Sequence, residues 1–155
     1  LSRTFAITVK KNGSYTVGSL KYKITSPKTD GKGTVAVAGA KSKTVKSVKI
    51  GATVKIGGKN FKITSVGKNA FKDYKKLSSV TIGKNVTMIE ASAFEKCAKL
   101  KKIKISSNSL NSVGKKAIKG IYKKATIQCP KKKVIKYKKY FKSSTGYKKS
   151  MKIKK

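Results

Sequence analysis

Residues 63–86 read ITSVGKNAFKDYKKLSSVTIGKNV, and residues 86–110 read VTMIEASAFEKCAKLKKIKISSNSL. At an offset of 23 their apolar columns coincide: Val66 with Ile89, Ala70 with Ala93, Phe71 with Phe94, Tyr74 with Cys97, Leu77 with Leu100, Val80 with Ile103 and Ile82 with Ile105. A third copy at an offset of 24 brings Val113, Ala117, Ile118 and Ile121, loses the Leu column and rejoins at Ile127. Upstream, SVKIGATV at residues 47–54 matches SVTIGKNV at residues 79–86 in five of eight positions, but at an offset of 32. The excess of about eight residues is taken up by VKIGGKNFKI, whose apolar alternation either side of Gly57 and Gly58 predicts a β-hairpin. The coils therefore begin near residue 45.

Each unit has a consistent local reading. Val80-Thr81-Ile82 and Ile103-Lys104-Ile105 alternate apolar and polar, as a short strand with one buried face does. Ala70, Phe71, Tyr74 and Leu77 recur at helical spacing, which predicts a short helix or turn of helix over residues 69–76, entered through a turn at Gly67. One strand, one turn and one short helix per ~23 residues describe a β-rich α/β solenoid, in which stacking lets each coil bury an apolar side it cannot bury alone.

At these columns the chain resembles the BspA-like leucine-rich repeats of bacterial cell-surface proteins. Val66-Gly67-Lys68-Asn69-Ala70-Phe71, followed by Leu77, Val80 and Ile82, matches that repeat, with Tyr74 where Cys is common. The next copy has Cys97 in place but Glu90 for the Gly, and the third keeps Val113-Gly114 and Ala117 but has Ile118 for Phe. The resemblance covers about residues 45–130. It implies a leucine-rich-repeat solenoid and an exported, secreted or surface-held protein whose signal peptide has been removed. It also implies roles in adhesion or host contact and no catalytic residues, although family membership does not fix function.

The two ends complete one continuous domain. Residues 1–44 lack the repeat; residues 4–10, 15–25 and 33–38 read as strands. A separate ligand-binding β unit is one reading, but an N-terminal β cap over the first coil is the better one, because exposed solenoid ends need covering. Residues 131–155 form a lysine-rich C-terminal cap. Pro130 is suited to a helix start, Val134, Tyr137 and Phe141 make an apolar stripe, and residues 150–154 read as a closing strand. The same basic helix has the composition for peripheral contact with an anionic membrane surface. No run of about 18 apolar residues spans a membrane. The start, Leu-Ser-Arg, fits a processed export product.

Charge excludes much chemistry. Lys and Arg number 41 against four acids, Asp30, Asp73, Glu90 and Glu95, for a net charge of +37, and there is no His. An imidazole base or ligand is thus missing. Two Cys and four scattered carboxylates do not make a zinc or calcium shell. We expect a non-enzyme without cofactor or metal. Cys97 and Cys129 read as free, buried thiols rather than one disulfide, since their local settings are unrelated. High charge with low hydropathy is also a signature of disorder; the repeat argues for order.

The lysines avoid the apolar columns and thicken along the chain, with 22 beyond Glu95 and no acid there. Such a surface repels itself and attracts anions. On the sheet face the outward residues read as a ladder of Lys49, Thr81, Lys104 and Thr126, flanked by Ser79, Lys102 and Gln128. We take Lys49, Thr81, Lys102, Lys104 and Thr126 as the candidate ligand face. Lys131, Lys132, Lys133, Lys136 and Lys139 are candidate polyanion contacts. The expected partner of this monomer is an anionic polymer, such as a cell-wall or host glycan, or a host protein. Non-specific nucleic-acid binding is the alternative, disfavoured by Arg3 being the only Arg and by the lack of stacking aromatics on the face. A purely structural spacer of a larger surface protein is the third reading.

Overall fold

The computed structural model describes residues 9–155. The strand expected over residues 4–10 lies mostly outside them, and Val9 and Lys10 are not in a strand. The stretch read as one strand over residues 15–25 is a hairpin: β1 (Ser14–Val17) turns at Gly18, with a φ of 61°, into β2 (Leu20–Ser26). β2 pairs antiparallel with β3 (Thr34–Ala40).

From β3 onward the chain winds into two parallel ladders. The first joins β3 to β6 (Lys59–Val66), β8 (Met88–Ile89) and β10 (Ser112–Val113), with Val37, Val66, Ile89 and Val113 in register. The second joins β4 (Ser47–Lys49), β7 (Ser79–Ile82), β9 (Lys102–Ile105), β11 (Thr126–Gln128) and β12 (Lys152–Lys154). Its central column, Val48, Val80, Ile103 and Ile127, is buried, as the alternation requires. The predicted hairpin is present: β5 (Thr53–Ile56) pairs antiparallel with β6 across Gly57 and Gly58, both at positive φ. Two consecutive left-handed residues are what a type I′ turn demands. Parallel pairing starts at β3, upstream of residue 45.

The helix expected over residues 69–76 does not form. Asn69 and Asp73 have φ values of 59° and 64°, and the later copies repeat this at Ser92 and Lys96, then at Lys116 and Gly120. A left-handed residue every fourth position kinks the chain out of α-helix. Alternate N–H groups bond across to the next coil instead: Asn69 to Ala91, Phe71 to Ala93 and Asp73 to Glu95, then Ser92 to Lys115, Phe94 to Ala117 and Lys96 to Lys119. The kinked turn thus makes a third ladder between coils, and leaves the helically spaced Ala and Phe columns pointing inward. Phe71 and Phe94 stack at 5.4 Å with ring planes 4° apart. In the next column Tyr74 donates to the Ala40 carbonyl at 3.1 Å and Cys97 to the Phe71 carbonyl at 2.9 Å, so each ties its coil to the chain before it. Both cysteines are free and buried, as the sequence suggested. Coils approach so closely that a Cβ on Gly83 would lie 2.3 Å from the Gly51 carbonyl oxygen.

The C-terminal helix is shorter than its stripe predicts. After a 3₁₀ turn at Lys131–Lys133, α1 spans Val134–Lys138. Tyr137 is fully buried; its hydroxyl donates to the Ser107 carbonyl at 2.7 Å and accepts from the Leu110 N–H at 3.1 Å. The chain then leaves the helix to accept bonds from Lys116 and Ile118 at Ser144 and Thr145, extending the third ladder. The predicted closing strand is β12, parallel to β11.

Candidate ligand surface

In the second ladder the central column faces inward, so the residues either side of it face out as two rows. One row is Ser47, Ser79, Lys102, Thr126 and Lys152; the other is Lys49, Thr81, Lys104, Gln128 and Lys154. This corrects the ladder read from the sequence. Thr126 stands beside Lys102, and the neighbour of Lys104 is Gln128. The third copy keeps its offset of 24, which carries residue 102 to 126 and 104 to 128; that offset was the signal. The sequence reading also left out Lys152 and Lys154 of β12. Their signal was the shared Lys-Ile-Lys of residues 102–104 and 152–154.

Lys49, Lys102, Lys104, Lys152 and Lys154 are exposed, whereas Thr81, Thr126 and Gln128 are half-buried. No acidic side chain follows Glu95 in the sequence. Among the described residues one ion pair forms, Lys72 to Glu95 at 3.5 Å. The Ser92 hydrogen bond and, behind it, the charges of Lys72 and Lys116 hold the Glu95 carboxyl below its usual range. Glu90, half-buried beside the turn ladder, accepts the Lys68 N–H at 2.9 Å. Among the described residues, none of the lysines of the face forms an ion pair with a carboxylate.

The second candidate group is divided. Lys131 shares a hollow of about 460 Å³ with Lys104, Gln128 and Lys155, so it adjoins the sheet face. Lys139 lines a different hollow with Asn111 and Ser112, at the end of the first ladder. Lys132 and Lys136 are exposed, and Lys133 is half-buried. Ile135, among these lysines, is 80% exposed. A further cationic hollow that the sequence did not suggest lies at the turn ladder, where Lys115, Lys116, Lys119 and Lys148 surround Ser143 and Ser144.

Among solved structures, a leucine-rich cell surface protein from Faecalibacterium prausnitzii A2-165 is 24% identical over 75% of this chain and 32% of its own, with a TM-score of 0.59. A leucine-rich repeat protein from Bacteroides ovatus ATCC 8483 is 25% identical over 76% of this chain and 35% of its own, with a TM-score of 0.56. Another, from Bacteroides capillosus ATCC 29799, is 24% identical over 76% of this chain and 82% of its own, with a TM-score of 0.61. The chain thus spans about a third of the first two proteins. No curated protein is significantly similar in sequence. Residues 53–154 match the family model for the BspA type leucine rich repeat region in six copies. Because that match spans about two thirds of the sequence, the chain belongs to the BspA type leucine-rich repeat family.

Proposed function

We propose that this chain is a non-catalytic binding module of the bacterial cell surface, exported and held against anionic polymers of the envelope or of a host. The observation that carries this reading is the outward face of the second ladder. It presents lysines and hydrogen-bonding side chains in two rows set by the strand register, with no acid among them. Solenoid sheet faces offer extended binding surfaces, and an array of one charge sign draws polyanions by long-range attraction. The surface location is supported by the family and by the Faecalibacterium neighbour, which is described as a cell surface protein. Lysine supplies strongly hydrated point charge rather than the bidentate fork of Arg, so the face selects charge density more than one geometry.

The test is retention of the purified chain on envelope polyanion at low ionic strength. Binding should weaken steeply and linearly in log–log form as salt rises. A chain that passes through envelope and polyanion columns unretained at low salt sinks the proposal.

A further inference from the structure

The lysines of the second ladder are not spread evenly. At the N-terminal end, β4 and β7 present Ser47, Ser79 and Thr81 with Lys49 as the sole cation. At the other end, β11 is flanked in register on both sides by Lys-Ile-Lys. Thr126 lies between Lys102 and Lys152, and Gln128 between Lys104 and Lys154. With the isoleucines turned inward, all four ammonium groups and both polar side chains lie on the same outward face.

Strand spacing sets the dimensions. The lysine pairs stand two strands apart, roughly 9.5 Å, and repeat every two residues along the strand, roughly 6.6 Å. Long lysine stems on either side of the shorter Thr126 and Gln128 leave a trough along β11. A hollow of about 310 Å³ opens there, lined by Lys101, Lys102, Thr126, Gln128, Lys154 and Lys155. It shares Gln128 and Lys155 with the hollow that holds Lys104 and Lys131, so the cationic walls continue past the end of the strand.

We propose that this trough is the principal ligand site: a linear, hydroxyl-rich polyanion lies along β11, its anionic groups between the two lysine walls and its hydroxyls on Thr126 and Gln128. The site rests on the polyanion reading above and adds place, direction and chemistry to it. Four ammonium groups around one strand neutralise two or more anionic groups of a passing chain. Thr126 Oγ and the Gln128 amide donate to and accept from the hydroxyls between them. A ligand without hydroxyls gains charge neutralisation only.

The experiment measures the affinity of the full chain for polygalacturonate and for poly(glycerol phosphate), whose relative affinities separate carboxylate from phosphate as the preferred anion. Oligothymidylate serves as a comparison polyanion. The variant K102Q/K104Q/K152Q/K154Q is set against the charge-matched K132Q/K136Q/K139Q/K142Q, whose lysines lie outside the trough and its continuation, with melting curves to check that each is folded. The trough variant should lose about tenfold or more in affinity, with the salt slope reduced by about 3, at ~0.7 for each ammonium group removed from the polyanion. The other variant should lose less than roughly threefold in the same measurement. Thr126→Val with Gln128→Leu should weaken both hydroxyl-bearing probes and leave oligothymidylate unchanged. Equal losses from the two lysine variants overturn the trough but leave the polyanion reading standing. A wild-type chain that binds neither probe at low salt overturns both. Preference for oligothymidylate over either probe overturns the trough in favour of a nucleic acid.

Discussion

At the scale of single residues, one column does the same job with two chemistries. Tyr74 and Cys97 occupy equivalent positions and each donates to a carbonyl of the chain before it. Burial pushes the Cys97 thiol up to about 12 and the Cys129 thiol up to about 11. Since the thiolate is the reactive form, neither cysteine should react with a disulfide reagent near neutral pH until the chain unfolds; rapid labelling of the native protein would refute this. Glu95 gives a pH signature. Its carboxyl is held below the ordinary 4.5 by Ser92, with Lys72 and Lys116 adding to the effect. A lowered folded value means the stabilisation is complete above 4.5 and is lost as pH falls through that lowered value. Glu95→Gln should therefore destabilise the protein at about pH 6, and the difference should shrink as the pH is lowered below 4.5, as read by denaturant titration. The buried columns were legible residue by residue, because Ala, Phe, Leu and Val-x-Ile recur at fixed spacing. The left-handed residues were not, since Asn69, Asp73, Ser92, Lys96 and Lys116 are not glycines and share no side-chain chemistry.

At the scale of elements, what failed in the sequence reading was the helix. Helical spacing of Ala70, Phe71, Tyr74 and Leu77 is also the spacing of two successive kinked turns, so periodicity could not separate them. Only Gly120, which fills the second left-handed position of the third copy, hinted at the answer. Lys96 holds the same position one coil earlier at a φ of 63°. Left-handed backbone costs an L-residue roughly 1–2 kcal/mol, offset in part by the greater unfolded freedom of Gly. Lys96→Gly should therefore raise stability by about 1 kcal/mol or less, and Lys96→Ile should lower it, in equilibrium denaturation. The strands were legible from alternation, but the neighbours of β11 followed from a one-residue change of offset. The place of β3 was hidden because residues 34–40 carry no copy of the repeat. The closing helix makes its own prediction. Tyr137→Phe removes both hydroxyl bonds and leaves the Ser107 carbonyl and Leu110 N–H buried without that partner, at a cost of about 1–3 kcal/mol. A melting curve unchanged by that substitution would show that the hydroxyl does not anchor α1.

At the scale of the whole molecule, +37 on 155 residues with one ion pair among those described leaves the fold under its own repulsion. Stability should rise with salt, by a few °C in Tm between about 0.02 M and 0.5 M sodium chloride, as the Debye length shrinks below the spacing of neighbouring lysines. A melting temperature that falls over this range would show that the lysines are compensated in a way the structure does not contain. If the proposed polyanion binds, the same salt that steadies the fold should release it, so the two curves run in opposite directions and separate unfolding from dissociation. Finally, the kinked turns have a mechanical meaning. Their hydrogen bonds run from coil to coil, and so do those of both parallel ladders, so that almost every rung lies along the stacking axis. A tug on one end of the stack loads these rungs in series rather than side by side. The molecule should let out chain coil by coil under modest tension, as stepwise extension in single-molecule pulling would show.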